Sequence, residues 1–284
     1  MRVSNHKLGN AVRSPTTRKI TRTLSLSLLC CLLPYAAHAV DNNARAVMTH
    51  SIEGQWQVNQ VDINNDATRT LSYQFNDPRL VGRVITISNN KIQTNLPEGS
   101  NCLTPKLAEK TISLDQYITD TMGGKHTITA KSYELNEDGN KHVLAQEITC
   151  ASGSFGPADN AMNARIALLN ENKLLVNWYD GSLLQLNRLP ASPKPVASFE
   201  CSNAKSNVEK VICSDFNLAA YDKSVARAWL LAKKQSNNIG DKNLSTSLMK
   251  SQKSWLQQRD KCMNDKKCLT DAMSTRIDSL SSYW

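Results

Sequence analysis

Four cysteines in the last third of the chain constrain its fold more than any other feature. Eleven residues separate Cys201 from Cys213, and five separate Cys262 from Cys268. Closely spaced pairs at both ends of one segment predict a small module held together by short disulfide loops. Because disulfides persist in oxidising compartments, the pattern indicates a protein that works outside the cytosol.

The N-terminus indicates the same compartment. Six basic residues precede an apolar run at 24–33, and Ala37-His38-Ala39 follows it. This order is typical of a secretory signal peptide with an A-x-A cleavage site, so residues 1–39 are predicted to be removed on export. The run is shorter than the ~18 residues of a membrane span. Leu29 stands where a bacterial lipoprotein signal has a small residue, which argues against a lipid anchor at Cys30.

Removal of this leader changes the charge. The full sequence holds 34 basic and 25 acidic residues, a formal net charge of +9. The leader holds six of the basic residues and no acidic one, so the mature chain carries +3, with −2 on residues 40–197 and +5 on residues 198–284. The basic residues are dispersed and form no clustered stripe for a phosphate backbone, so the sequence excludes a nucleic-acid-binding protein.

A proline-rich segment at 189–195 divides the mature chain. Its three prolines hold the backbone extended, so residues 190–197 are predicted to be a semi-rigid linker. Residues 40–189 are predicted to form a β-rich domain of about eight short strands separated by turn signals, which favours an antiparallel barrel or sandwich. The predicted strands are 54–64, 70–75, 82–88, 126–136, 141–150, 164–169, 173–179 and 182–189.

The last two predicted strands are apolar on both faces. Asp180-Gly181 predicts a two-residue turn, which would put Leu183 on the face of Val176 and Leu184 on the face of Leu175. In a strand buried on one side only, apolar and polar residues would alternate more cleanly. This hairpin is therefore expected either to be central in the sheet or to be covered on its outer face by the C-terminal domain.

The first and last strands carry a short resemblance. Gly54-Gln55-Trp56 and Arg188 are similar to the start and end of lipocalin-like barrels, in which an arginine covers the tryptophan. The resemblance implies that Arg188 stacks on Trp56. An unrelated small barrel remains the alternative.

Residues 198–284 have a helical period instead. Apolar side chains recur at steps of three and four through 215–235 and again through 244–262. Asp215 is the predicted N-cap of the first helix, Gly240 marks the turn, and a further short helix is expected after Cys268. The region is therefore predicted to be a helical hairpin, whose small core gains from crosslinks.

Six cysteines remain in the mature chain, and six allow fifteen pairings. Pairing within each predicted domain selects Cys102–Cys150, Cys201–Cys213 and Cys262–Cys268. A zinc site with four cysteine ligands is the alternative, but the spacing lacks C-x2-C and an oxidising compartment does not supply reduced thiolates. The sequence thus predicts three disulfides and no metal or cofactor.

The C-terminal cysteines and the polar residues between them resemble a known family. The pattern is similar to the domain of LprI-type lysozyme inhibitors, which are secreted bacterial proteins, and it covers about residues 198–281. It implies a periplasmic protein with a disulfide-bonded helical domain that binds lysozyme or another peptidoglycan hydrolase, and it implies nothing about residues 40–197. The polar and aromatic residues that match are Glu209, Asp222, Gln252, Trp255, Arg259 and Arg276.

These six residues are expected to be structural. In a small helical unit, an arginine on one helix commonly satisfies a carboxylate on its neighbour, and acidic residues cap helix ends. The tryptophan is most simply part of the core.

No pattern in the chain predicts an enzyme. It contains no G-x-S-x-G, no H-E-x-x-H, no phosphate-binding glycine loop and no unpaired mature cysteine. The mature histidines, His50, His126 and His142, are scattered. We therefore expect a binding protein.

Two loops of the β-rich region are candidate binding sites. Lys125 and His126 follow two glycines in the loop at 121–126, where a cation could approach the paired carboxylates of a lysozyme cleft. The loop at 151–157 is similar to the Ser-Gly-x-Tyr loop of other periplasmic lysozyme inhibitors, with Ser152 present and Phe155 in place of tyrosine. Plain flexible connections are the alternative for both loops.

Charge narrows the choice of partner. A host c-type lysozyme is strongly cationic, so the helical region, with a net charge of +5, would repel it. The β-rich region, with a net charge of −2, is the better face for binding such an enzyme. The same features fit an immunity protein against a cell-wall-degrading toxin. They also fit an envelope protein with a structural or interaction role that inhibits no enzyme.

Overall fold

The computed structural model describes residues 52–122, 128–157 and 164–284, so the predicted leader lies outside it. Within these ranges the chain forms antiparallel strands followed by helices. The strands are β1 Gly54–Ile63, β2 Val84–Ile87, β3 Lys91–Thr94, β4 Cys102–Ser113, β5 His142–Gly153, β6 Ala164–Asn170, β7 Lys173–Asn177 and β8 Ser182–Arg188. The helices are α1 Leu114–Met122, α2 Asn207–Ser214, α3 Phe216–Ile239, α4 Lys242–Arg259 and α5 Lys266–Ser281.

The eight strands form one closed ring. Each strand pairs with the next in the sequence, and β8 returns to pair with β1. Successive side chains of a strand point to opposite faces, so every second residue enters the ring. There Trp56, Ile85, Ile166 and Val176 join one buried apolar cluster. The prediction of an antiparallel β-rich N-terminal region is confirmed.

Arg188 closes the ring at the seam between its first and last strands. Its guanidinium carbon lies 4.0 Å from the ring centroid of Trp56, its partner in the β1–β8 register. Its Nη1 donates to the carbonyl of Glu53 at 2.6 Å, and the indole N–H of Trp56 donates to the carbonyl of Ile52 at 2.8 Å. The expected stacking of arginine on tryptophan is confirmed.

A second apolar cluster covers the outer face of β5 to β8. Helix α1 and the 3₁₀ turn Ala130–Tyr133 lie on that face, and Tyr117 donates to the carbonyl of Leu175 at 3.2 Å. An outer cover was expected from the apolar last hairpin. The outer cover is therefore present, but α1 and the 3₁₀ turn supply it, and among the described residues none of the C-terminal helices belongs to this cluster.

The last hairpin turns differently from the sequence prediction. Trp178 donates to the carbonyl of Ser182, so the 3₁₀ turn Tyr179–Gly181 makes a three-residue loop. Val176 therefore pairs with Leu184, which shares the inner cluster, while Leu183 lies outside. The extra residue shifts the register by one, and such a shift sends each side chain to the other face. The predicted two-residue turn is wrong for this reason.

The sequence did not predict β3 and β4, and it predicted two strands, at 70–75 and 126–136, that the described residues do not form. β4 pairs with β5 along its length but exposes most of its side chains. Its sequence therefore lacks the alternation of apolar and polar residues that marks a half-buried strand. β3 has only four residues. Residues 70–75 form turns, and the described part of 126–136 contains the 3₁₀ turn. Short or exposed strands lack the period on which sequence prediction depends.

Residues 198–284 form the helical module, and its caps are those that the sequence indicates. Asp215 accepts the backbone N–H of Leu218 at 3.0 Å, and Gly240 ends α3 with φ 76°. Helix α5 is longer than the short helix expected and begins before Cys268, with Asp265 as its N-cap. Its apolar face and that of α3 share one buried cluster.

All three predicted disulfides are present. Cys102–Cys150 joins β4 to β5, Cys201–Cys213 ties a 3₁₀ turn to α2, and Cys262–Cys268 joins the end of α4 to α5. Each bridge lies inside the ring or inside the helical module. The crosslinks therefore stabilise the two regions separately.

The ring and the helical module pack against each other through α3. Arg83 is 1% exposed, and its guanidinium carbon lies 3.4 Å from the ring centroid of Tyr221. Its Nη2 donates to the hydroxyl of Ser224 at 2.9 Å, and that hydroxyl donates to the carbonyl of Val81 at 3.1 Å. A Cβ added to Gly82 would lie 3.5 Å from Ala220, so helix and backbone are in close contact.

We predict that residues 198–284 fold without the ring. The module has its own apolar cluster and two disulfides of its own. Circular dichroism of the isolated oxidised fragment should show a cooperative helical melt, at a lower temperature than in the full chain because Tyr221 loses its contact with Arg83. Reduction should cost about 2–3 kcal/mol per bridge. A coil spectrum under oxidising conditions would contradict independent folding.

Candidate functional site

Two of the arginines that carry the LprI resemblance lie beside Trp255 on α4. The guanidinium carbon of Arg259 lies 5.4 Å from its ring centroid and that of Arg276 lies 5.9 Å away. Both distances are within reach of a cation–π contact. The indole N–H donates to the carbonyl of Ala272 at 3.1 Å, which joins α4 to α5.

Arg276 links α5 to α4 without a carboxylate. It is 7% exposed, and its Nε and Nη2 both donate to the amide oxygen of Gln252, at 3.0 and 2.8 Å. Its Nη2 also donates to the hydroxyl of Ser251 at 3.1 Å. Burial lowers the pKa of this guanidinium. The expected partner of an arginine at this crossing was a carboxylate, and the structure places the neutral side chain of Gln252 there.

Arg259 does pair with a carboxylate, although not on a neighbouring helix. Its Nη2 and Nε donate to one oxygen of the adjacent Asp260, at 2.7 and 3.0 Å. Arg259 is 9% exposed, whereas the side chain of Asp260 is about half exposed. The pair therefore fixes the end of α4 beside the Cys262–Cys268 bridge.

Glu209 caps α2. It accepts the backbone N–H groups of Ser206 at 2.9 Å and Lys205 at 2.7 Å, while the hydroxyl of Ser206 accepts the N–H of Glu209 at 3.1 Å. This reciprocal pair is a capping box. The N–H of Ser206, and then that of Lys205, lowers the pKa of the carboxyl.

Asp222 holds the chain that enters the module. Its carboxylate is buried in the middle of α3 and accepts the backbone N–H of Ser198 at 2.7 Å. The contact fixes the residues that follow the linker against α3. With it, every polar residue of the family-like set has a partner within the module. The arrangement serves the packing and capping of the helices.

Of the four predicted contact residues, Ser152 and Phe155 lie in the described ranges. Ser152 is exposed on β5. Phe155 is 2% exposed and packs edge-on against Trp178, with ring centroids 6.0 Å apart. A partner could reach Phe155 only if this segment opened. Lys125 and His126 lie outside the described residues.

A groove that no sequence pattern predicted lies between the ring and α3, and we call it the ring–helix groove. Its volume is about 560 Å³, and its walls come from β1, the segment 76–82, the linker and α3. Arg83 lies behind it and Lys194, Lys223 and Arg227 line it. Scattered single cations give no sequence signal, because only the fold brings them together.

Two further findings limit the chemistry of the described ranges. No group of three or more histidine, cysteine or acidic side chains there could hold a metal ion. Among the helices described, none combines the length and apolar character needed to cross a bilayer.

We predict that Arg276→Lys destabilises the module. An ammonium group cannot make the forked pair of bonds to Gln252, and hydrogen bonds to a charged group are worth about 1.5–3 kcal/mol. Urea unfolding should show a loss of about 2 kcal/mol, while exposed Lys234→Arg serves as the control and should change nothing. Equal stability of the two variants would show that the fork is not structural.

We also predict a pH-dependent effect of Glu209→Ala. Loss of the cap should cost about 1 kcal/mol at pH 7. Because the folded pKa of Glu209 is lowered, its contribution is present above the unfolded value of about 4.3 and is lost as the pH falls through the folded value. Thermal melts from pH 7 to pH 2 should therefore converge with those of the parent at acid pH. The exposed substitution Glu200→Ala is the control. If Glu209→Ala still lowers the stability at pH 2, the cap does not depend on the charge of the carboxylate.

Comparison with known proteins confirms the resemblance drawn from the cysteines and polar residues. A search of curated proteins and a search of solved structures each return no match for this chain. A family model does match: residues 201–280, the C-terminal region, match the family described as Lysozyme inhibitor LprI.

Proposed function

We propose that this is an exported bacterial envelope protein that inhibits a peptidoglycan-cleaving enzyme of the lysozyme type by binding it and occluding its cleft. The observation that carries the proposal is the family match over residues 201–280. The proposal includes a signal peptide at 1–39, a β-rich domain at 40–189, a linker at 190–197, the helical module at 198–284 and a periplasmic location.

An inhibitor of this kind binds through its surface, because the internal polar residues of the module are already paired. Helix α4 offers such a surface. Met249 is 55% exposed and Leu256 is 37% exposed, and a spacing of seven puts them on one helical face with Lys253 between. Exposed apolar side chains beside a cation are suited to a protein partner. We propose that this face of α4 makes the primary contact.

Ring residues supply the secondary contacts in this proposal. They are Lys125 and His126 in the loop at 121–126 and Ser152 on the exposed part of β5. We further propose that the ring is a lipocalin-like barrel, which the stacking of Arg188 on Trp56 supports. Phe155 contributes to the core in the described conformation.

Charge favours a target less cationic than a host lysozyme. The module carries +5, so like charge would slow its approach to a cationic enzyme. This supports an alternative within the same mechanism, in which the protein is an immunity factor that binds a cell-wall-degrading toxin. An envelope protein that inhibits nothing is the outcome if no such enzyme binds.

We predict that the mature protein slows wall lysis. In a turbidity assay with purified cell walls, excess protein should reduce the rate for a muramidase or amidase that it retains in a pull-down from envelope extract. The pair Met249→Glu and Leu256→Glu should weaken inhibition by about tenfold or more, because it places charge in the contact. Phe75→Glu, a similarly exposed apolar residue outside the helical module, should leave inhibition unchanged.

Both parts of the experiment bear on the proposal. If no wall hydrolase is retained and lysis is unchanged at a large molar excess, the inhibitor proposal is wrong and a structural envelope role replaces it. If inhibition occurs but the α4 pair has no effect, the enzyme binds elsewhere on the protein.

A further inference from the structure

The ring–helix groove is large enough for a ligand and open to solvent on one side. Its volume of about 560 Å³ falls in the range of small-molecule and peptide sites. The walls are partly apolar, with Val58 and Val81 on the ring side, Val196 on the linker and Phe216 at the start of α3. Val196 is 60% exposed.

Three exposed cations line this groove without a matching anion. They are Lys194 on the linker and Lys223 and Arg227 on α3, four residues apart and hence on one face of the helix. Among the residues that the structure describes, no acidic side chain lines the groove. Across the described ranges, none of the ion pairs involves any of the three.

A fourth cation lies directly behind the groove. The buried guanidinium of Arg83 bonds to Ser224, a lining residue, through Nη2, while its Nε and Nη1 have no hydrogen-bond partner in the described residues. A buried charge without a counter-ion is costly, and its field extends through the low-dielectric wall. An anion in the groove would offset this field.

Two side-chain amides that line the groove favour a peptide over a phosphate ion as the anionic ligand. Gln57 uses its Nε2 to donate to the carbonyl of Gly82 at 3.1 Å, which leaves its amide oxygen as an acceptor. Asn76 uses its oxygen to accept the N–H of Val61 at 3.1 Å, which leaves its NH₂ as a donor. A donor and an acceptor together match the C=O and N–H of a peptide group, which a phosphate ion does not have.

We propose that the ring–helix groove binds a short acidic peptide segment, with its carboxylates on Lys194, Lys223 and Arg227 and its backbone on Gln57 and Asn76. The apolar walls contact the aliphatic parts of the peptide. This site is separate from the α4 face, so it does not depend on the inhibitor proposal and can fail independently of it.

The test is peptide binding to the mature protein. The probe is acetyl-Glu-Ala-Glu-Ala-amide, and its neutral control is acetyl-Gln-Ala-Gln-Ala-amide, both measured by calorimetry at low salt. We expect the acidic peptide to bind at least tenfold more tightly, and we expect the difference to shrink in 0.5 M salt as the charges are screened. Inorganic phosphate should compete only weakly, because it has neither a peptide group nor an aliphatic part that could contact the apolar walls.

Matched variants locate the site. Arg227→Glu should weaken the acidic peptide by about tenfold, while Lys234→Glu makes the same charge change on α3 outside the groove and should change affinity less than twofold. Both positions are exposed, so folding is not at risk. Arg83→Met should also weaken binding, and circular dichroism would verify that this variant folds.

Three results would overturn the proposal. The first is equal binding of the acidic and neutral peptides. The second is an equal effect of Arg227→Glu and Lys234→Glu, which would place the peptide elsewhere on α3. The third is phosphate binding as tight as that of the peptide, which would make the groove a small-anion site.

Discussion

The contact of Arg83 with α3 is the interaction that positions the helices on the ring. A guanidinium that is 1% exposed stacks at 3.4 Å on Tyr221 and bonds to Ser224, and no carboxylate takes part. A desolvated cation–π contact is worth about 2 kcal/mol, which offsets only part of the cost of burying the charge. The contact therefore fixes the orientation of α3 on the ring more than it stabilises the fold. The same unpaired charge makes the adjoining groove favourable for anions.

The rest of the stability is divided between two cores that do not share crosslinks. In the ring, inner and outer apolar clusters enclose the last strands, and Arg188 on Trp56 closes the seam. In the helical module, two disulfides and the bonds of Arg276 to Gln252 join helices that bury few apolar side chains on α4. Because α4 is held by polar bonds and bridges, its outer face remains exposed. This is why a module of this size can leave apolar side chains of α4 exposed without losing its fold.

The caps and disulfides of the site could be predicted from the sequence, whereas the partners and burial of several side chains could not. Single residues show the physical reason. Asp215, Gly240 and the cysteine pairs act over a few residues, so their roles follow from local spacing. The carboxylate expected opposite Arg276 is in fact the amide of Gln252, since either group can accept a forked pair of bonds. Phe155 has the position of a loop contact in the sequence, yet its ring completes the packing of Trp178. The choice between surface and core depends on neighbours distant in sequence.

By itself, the sequence determined the three disulfides, a β-rich region followed by a helical one, and the likeness of residues 201–280 to an inhibitor family. These depend on residue type and short-range spacing, except for Cys102–Cys150, which follows because residues 40–197 hold only these two cysteines. Only the tertiary structure decided the register of the last hairpin, where one added residue in the turn exchanges the faces of Leu183 and Leu184. It also decided that Arg83 meets Ser224, 141 residues away, and that three cations face one groove. Such contacts arise from how the ring closes and how α3 packs on it, and no local pattern encodes them.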